Sequence, residues 1–486
     1  MVSMIKEIDC DFLVIGSGAG GAVAFRELAM AGKDVLLIEE GDNWEEGDFD
    51  APVSELTQKL YRDGGVTPFL GKPAIGFGEG VALGGSTVIN GGLLWRTPEW
   101  ILDEWQKRGI EGYTMNHLSP YFDEIERSLN VSNELEIDGY DIDSQIINQS
   151  AIDLGWKSVR VPRATRNCSR KNQCGAGCPS GAKQSVDKTY IKSGIDYGGR
   201  LLTGIRVINL NKKNCKIKSV VAKNLKISEK ILFKCKTVFL AAGAINTPLL
   251  LKKSGLSAIA GSQLQFHLNL KVFAKFPNKI NAHKGTIFTR QIQEFEKEGL
   301  LIMGTNYSPS YIATALEHLD NEQFNKYFNM YENSAMYTPM IKPEGTARII
   351  PFFGSKIIKH QLHPVHDLNK MRKALDVTSR LLFNAGAEVV ILPLANSPIV
   401  MSYSQALSVI NQTNISQYKL LSVHAMSSCG MGVDSYSVCD TDGKVKGTDN
   451  LYICDASVLP SNIGESPQGT IMAFSHTIVN HYLNTE

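Results

Sequence analysis

The segment from Cys10 to Asp42, CDFLVIGSGAGGAVAFRELAMAGKDVLLIEEGD, constrains the fold more than any other part of the chain. FLVI is a short unbroken apolar run, the pattern of a parallel strand buried on both faces. Gly16, Gly18 and Gly21 follow as G-x-G-x-x-G. In that pattern the first glycine permits a tight turn and the second lets backbone approach a pyrophosphate. The third lets the next helix pack closely on the strand. AVAFRELAMAG has helical periodicity, and the amides at its start face the anion. KDVLLIE reads as a second strand ending at Glu39. An acid roughly 20 residues beyond the glycines accepts hydrogen bonds from ribose hydroxyls. The order of these parts predicts a doubly wound α/β unit that binds a dinucleotide. It does not separate FAD from NAD.

A chain of 486 residues is too long for one simple core and implies two or three structural units. With 50 Lys+Arg against 49 Asp+Glu, no net field draws it to nucleic acid or to an anionic membrane. No apolar run approaches the ~20 residues needed to span a bilayer. The longest candidate, VFLAAGAINTPLLL, is broken by polar residues and Pro248. The opening MIKEIDCDFLVIG runs straight into a strand pattern, with no signal-peptide apolar region. A cytoplasmic location is therefore expected, where nine cysteines read mostly as reduced thiols.

Three later stretches extend the ligand-binding reading. GEGVALGGSTVINGGLLWR is a second glycine-rich loop, in which Gly84, Gly85 and Ser86 leave room for backbone to meet a ligand. Asn90 adds a donor and an acceptor. VFLAAGAINTPLLL repeats strand, glycine turn at Gly243 and helix start. Near the C-terminus a strand ends at Asp455, and a helix begins near Thr470. Taken singly, the glycines also read as turns, Asn90 as a turn former and Asp455 as a helix cap.

With these stretches in place, the chain resembles the glucose–methanol–choline (GMC) family of FAD-dependent oxidoreductases nearly end to end. The resemblance rests on the N-terminal fingerprint, LGGSTVINGG, GYTMNHLSPYFDEIE, FLAAGAINTPLLLKKSG, GSQLQFH, HAMSSCGMG and LYICDASVLPS. It implies a Rossmann-type FAD-binding domain assembled from residues 1–105, 185–265 and 418–486. A connecting region, 106–184, and a substrate domain on an antiparallel sheet, 266–417, complete the expected architecture. The resemblance implies that Glu39 holds the adenosine ribose and that the 84–90 loop lies along the pyrophosphate and flavin edge. It places the Val207 backbone by adenine and Asp455 by the pyrophosphate and ribityl chain.

The resemblance further implies oxidation of an alcohol or sugar by hydride transfer to flavin N5. Electrons would then pass to oxygen, a quinone-like molecule or a redox protein. Histidine suits the base because its ordinary pKa of about 6.5 lies near working pH, and His424 stands at the family's catalytic position. The second position departs from the family pattern. Where the family places Asn or His before a P-x-x-T turn, Ser466 precedes Pro467-Gln468-Gly469-Thr470. A serine hydroxyl can bond a substrate directly or through water. Glu465, Asn462 and His476 are the other candidates to reach in. The alternatives are a flavin-bearing lyase that cleaves cyanohydrins, a light-driven decarboxylase, and a degenerate binding scaffold.

Four features remain. Cys168, Cys174 and Cys178, followed by Pro179, are spaced C-x5-C-x3-C-P. The loop around them resembles long-chain alcohol oxidases and bacterial sugar dehydrogenase catalytic subunits, some of which hold a three-cysteine iron–sulfur cluster here. Cluster, disulfide and reduced structural loop stay open. His360, His363 and His366 invite a zinc reading, but Pro364 interrupts a single helix and a solvated edge is expected. The lysine-rich run from Lys212 to Lys236 reads as a half-exposed antiparallel sheet. The aromatics between Tyr307 and Tyr337 read as ordinary packing.

Overall fold

The structure is a computed structural model that describes residues 6–133, 141–306 and 308–485; Tyr307 lies outside the described residues. Its first sheet is wholly parallel, in the order Leu451–Ile453, Thr237–Leu240, Phe12–Ile15, Val35–Ile38, Arg200–Leu202. LYI, TVFL, FLVI and VLLI are buried along their whole length, as helices on both faces of a parallel sheet require. The helix Ala19–Met30 lies on this sheet and packs against the C-terminal helix Gln468–Thr485. Gly20 sets how closely it packs, since a Cβ there would stand 2.1 Å from the Cys454 carbonyl oxygen.

A second sheet is small and half exposed. Ile205–Lys213, Lys216–Asn224 and Lys230–Lys234 pair antiparallel, and Lys6–Asp9 runs parallel at its edge. The lysine-rich run supplies it as expected. In KILFK, Ile231 and Phe233 are buried while Lys230 and Lys234 are exposed, the period-two alternation of a one-sided sheet.

The third sheet is mixed and has twelve strands among the described residues. At its centre Leu268–Asn269 and Val272–Lys275 run antiparallel to Ser334–Ile341, whose other edge pairs with Leu300–Gly304. GTARIIPF forms the strand Thr346–Phe352, in a hairpin with Ser355–Gln361. The helix His366–Asn384, a break at Gly386 and the strand Val389–Ile391 follow the expected order. Thr67–Leu70, Ile75–Phe77 and Leu420–Ser422 also join this sheet. They fall in segments expected on the dinucleotide side, so the chain crosses between layers more often than the motifs imply.

Two large apolar cores dominate the described residues, with three smaller clusters beside them. One lies around the parallel sheet, with Phe25, Trp105, Phe239 and Phe474. The other backs the large sheet, with Phe69, Phe266, Tyr337 and Leu381. Among the described residues no helix is long and apolar enough to cross a membrane.

Candidate active site

A cavity of about 1440 Å³ begins at the C-terminal ends of the parallel strands, where Ile15, Ile38 and Ala241 reach its wall, and continues onto the large sheet at Met303 and Met340. The end of parallel strands is where open α/β sheets bind ligands. The volume exceeds the roughly 300–1,000 Å³ of a pocket for one drug-sized molecule, so a dinucleotide and a substrate fit together.

Gly16, Gly18 and Glu39 form one end of this wall. Gly16 takes a left-handed φ of 96°, and a Cβ there would stand 2.3 Å from the Ala241 carbonyl oxygen. At Gly18 a Cβ would meet nothing within 4 Å. That glycine keeps backbone bare against open cavity, the condition for a phosphate to approach its amides. Gly21 stands behind the wall, where a Cβ would fall 2.0 Å from the Gly16 carbonyl oxygen. The buried Glu39 carboxylate accepts from the Ser17 N–H at 2.9 Å, the Ser17 hydroxyl at 2.7 Å and the Gly41 N–H at 2.8 Å. Burial pushes its pKa up, and these donors oppose the rise. Ser17 Oγ also accepts from the Gly84 N–H at 2.9 Å. Gly84 therefore ties the two glycine loops together, while Gly85 and Ser86 face the cavity.

The 84–90 loop is pinned from below by Lys183, a residue the sequence reading passed over. Its buried ammonium donates to three carbonyls, those of Val88 at 2.5 Å, Asn90 at 2.9 Å and Cys174 at 2.8 Å. All three of its donors are used. Burial draws its pKa down to about 8, against the pull of the Cys174 and Cys178 thiols. Asn90 Nδ2 donates to Gln468 Oε1 at 2.5 Å, which joins this loop to the start of the C-terminal helix. Pro467 and Gln468 line the cavity; Thr470 sits behind them, its hydroxyl 2.8 Å from that of Thr97.

Val207, Gly243 and Asp455 complete this half of the wall. Asp455 both caps and faces the cavity. It accepts from the Ser457 N–H at 2.7 Å, the Gly243 N–H at 3.0 Å and the Thr247 hydroxyl at 2.5 Å. An open glycine cradle, two buried acids and the room for a second molecule fit FAD.

At the other half His424 and Ser466 line the cavity. His424 Nδ1 lies 2.9 Å from Nδ1 of the buried His267. Burial draws the His424 pKa down to about 4 and holds His267 well below its ordinary value, with His424 as the second cause. Both rings are neutral at pH 7, so one Nδ1–H donates to the other Nδ1, and Nε2 is the remaining nitrogen of His424. His267 ends the GSQLQFH motif but was not expected at the site; nothing local in the sequence pairs it with His424. Ser466 is bonded to its neighbour: its N–H donates to Glu465 Oε1 at 2.7 Å, and its hydroxyl also bonds this carboxylate. Burial pushes the Glu465 pKa up to about 7, and Gln291 Nε2 donates to its other oxygen at 2.6 Å.

None of the three other candidates reaches the cavity wall. Glu465 lines a separate shallow pocket with Trp95 and Gln293. Asn462 is turned to the Phe266 carbonyl at 2.7 Å. His476 bonds the Tyr190 hydroxyl at 3.2 Å and stacks on Tyr121.

Residues 57–269 and 355–475 match the two family models of the GMC oxidoreductases, together more than half of the chain. The chain belongs to the GMC oxidoreductase family. It is 31% identical to an uncharacterised GMC-type oxidoreductase of Sinorhizobium fredii, over 98% of this chain and 95% of that one. It is 25% identical to a long-chain-alcohol oxidase of Arabidopsis thaliana, over 97% of this chain and 67% of that one. Among solved structures, formate oxidase of Aspergillus oryzae superposes with a TM-score of 0.76 at 14% identity, over 98% of each chain. Pyridoxine 4-oxidase from Mesorbium loti gives 0.71 at 16%, over 98% of this chain and 99% of that one. The fold is thus that of the GMC flavoproteins, and this GMC enzyme is an FAD-dependent oxidoreductase.

In this GMC enzyme the cysteine loop touches the cavity through Lys171, Gln173 and Gly175, not through its sulfurs. Cys174 Sγ lies 3.9 Å from an Arg163 nitrogen. Cys178 Sγ accepts from the Lys183 N–H at 3.4 Å and meets Ser180 Oγ at 3.6 Å. Burial works against ionisation of this thiol, but these bonds outweigh it and lower its pKa. All nine cysteines are free thiols. Among the described residues no three His, Cys, Asp or Glu side chains are grouped to hold a metal ion. The geometry therefore supports neither the cluster nor the disulfide, and the reduced loop remains. In the histidine trio the rings of His363 and His366 meet at 4.3 Å and His363 Nδ1 accepts from the His366 N–H at 3.1 Å, whereas His360 is turned to the Pro73 carbonyl at 2.7 Å.

Proposed function

We propose that this enzyme oxidises the CH–OH group of an alcohol or sugar, with His424 as the base for the hydroxyl proton. The observation that carries the proposal is the His267–His424 pair at the cavity wall. A His424 tautomer whose Nδ1–H donates to His267 presents an unprotonated Nε2 to the substrate. His267, accepting that proton at its Nδ1, is then a positioning residue for the ring. Glu39 and Val207 would hold the adenosine end of FAD, Gly16 and Gly18 its pyrophosphate, and Ser86, Asn90 and Pro467 the flavin end. Bound there, FAD supplies the two-electron acceptor for the C–H pair of the substrate.

Ser466 stands in the second catalytic position with its hydroxyl bonded to Glu465. It can orient a substrate oxygen while Glu465, near half-protonation at neutral pH, holds or releases a proton behind it. Relatives with a named activity include long-chain-alcohol oxidases of Arabidopsis thaliana and a paromamine 6'-oxidase of Streptomyces fradiae. They support alcohol oxidation, with oxygen as an acceptor, over the lyase and decarboxylase readings.

The test is anaerobic flavin reduction by a panel of alcohols and sugars. His424→Ala is expected to retain FAD and to lose roughly 10²–10⁴-fold in the reduction rate. Reduction at the wild-type rate in that variant would remove His424 from the role of base.

A further inference from the structure

The segment after His267 runs along the cavity. Leu268 pairs with Ile341, Asn269 with Met340 and, beyond Leu270 and Lys271, Val272 with Tyr337, two short strands in the same antiparallel register. Successive side chains alternate faces. Phe266, Leu268 and Leu270 enter the apolar core. On the other face His267 meets His424, while Asn269 and Lys271 line the cavity.

Neither cavity-facing residue has an anionic partner among the described residues. Asn269 is 7% exposed, and its Nδ2 donates to nothing. Lys271 Nζ donates to Thr314 Oγ1 at 2.8 Å and stands 4.4 Å from the centre of the Tyr311 ring. Among the described residues no carboxylate comes within ion-pair distance; Glu317 acts on it only from further away. Burial draws its pKa down to about 8, so the ammonium is retained at neutral pH without an anion. A buried amide donor without an acceptor is costly, and a cation without a counter-ion beside it suits an anionic ligand. The wall around them mixes Met303, Met340, Leu421 and Val423 with the hydroxyls of Thr305 and Thr338.

We propose that the pocket is built for an alcohol that carries a carboxylate at its far end. The hydroxyl lies at His424, the apolar body over Met303 and Met340, and the carboxylate against Asn269 Nδ2 and Lys271 Nζ. His267 and Lys271 are four residues apart, on the order of 13 Å of strand, so the substrate is extended, an ω-hydroxy acid of medium chain. This reading rests on His424 as the site of alcohol oxidation.

The test uses the FAD-loaded enzyme with ω-hydroxy acids from 6-hydroxyhexanoate to 10-hydroxydecanoate, each against its methyl ester. A second arm measures binding of octanoate against octanamide, neither of which is an alcohol, through perturbation of the flavin spectrum. The acids are expected to show a KM lower by roughly tenfold or more than their esters, the size of one charged hydrogen bond. That ratio should collapse in Lys271→Met, persist in Lys271→Arg and invert in Asn269→Asp, and octanoate binding should follow it. Octanoate held through Lys271 by an enzyme that oxidises no alcohol would sustain the carboxylate site and sink the alcohol reading alone. Equal KM for acid and ester in the wild type, a ratio that survives Lys271→Met, or loss of FAD from that variant would overturn the proposal.

Discussion

His267 and His424 share one proton between their Nδ1 atoms, and burial holds both rings neutral at pH 7. With the His424 pKa near 4, the rate of flavin reduction should hold down to about pH 5 and fall only on further acidification. A midpoint near 6.5 would mean that the ring titrates as an exposed histidine. Replacing His267 by Phe should cut the reduction rate with little change in FAD content, because only the positioning of the His424 ring is lost. The same burial affects stability. Between about pH 6.5 and 4 the unfolded chain binds more protons at His424 than the folded one, so stability falls as pH drops. Glu465 works the other way. Its pKa is raised from 4.5 to about 7, so the folded state holds the extra proton and stability is lost as pH rises through 7. Glu465→Gln should therefore gain on the wild type at pH 8 but not at pH 4, by up to about 3 kcal/mol; calorimetry at the two pH values decides. His424 was legible because it sits in a motif. His267 was not, because its partner lies 157 positions away and only strand register brings the rings together.

Among the elements, the 84–90 loop depends on a charge beneath it. Lys183→Met would leave the carbonyls of Val88, Asn90 and Cys174 without that donor. Each buried orphan costs about 1–3 kcal/mol. FAD affinity is expected to fall tenfold or more, read by titration of the apoprotein with FAD; unchanged affinity would show that the loop holds its shape unaided. The sequence revealed the parallel strands, the glycine turns and the lysine-rich sheet, since each has its own periodicity. It did not reveal which sheet takes Thr67–Leu70, Ile75–Phe77 and Leu420–Ser422. A strand of three or four residues carries no mark of its partner, and pairing across layers is settled by tertiary packing. Lys183 was invisible for a related reason: only in the fold does a lone lysine meet three carbonyls.

At the scale of the molecule, the cavity wall draws residues from around both cores. A cofactor seated there binds the folded state and not the unfolded one, so stripping FAD should lower Tm. Restoring it at about 1,000 times its Kd should return about 4 kcal/mol. An unfolding temperature indifferent to FAD would contradict the cofactor seat. Protein purified without oxygen is expected to show flavin absorbance and no stoichiometric iron, since among the described residues no three metal-ligating side chains are grouped; iron in a fixed ratio to flavin would contradict this. The parallel sheet also has a temporal side. Its strand Thr237–Leu240 pairs on one edge with Phe12–Ile15 and on the other with Leu451–Ile453. On the ribosome that second edge stays open until Leu451–Ile453 has been made, more than two hundred residues later. An open apolar edge invites pairing with other chains, so Leu451–Ile453 acts as the sheet's closing piece, and truncation before it should yield aggregate rather than a smaller enzyme.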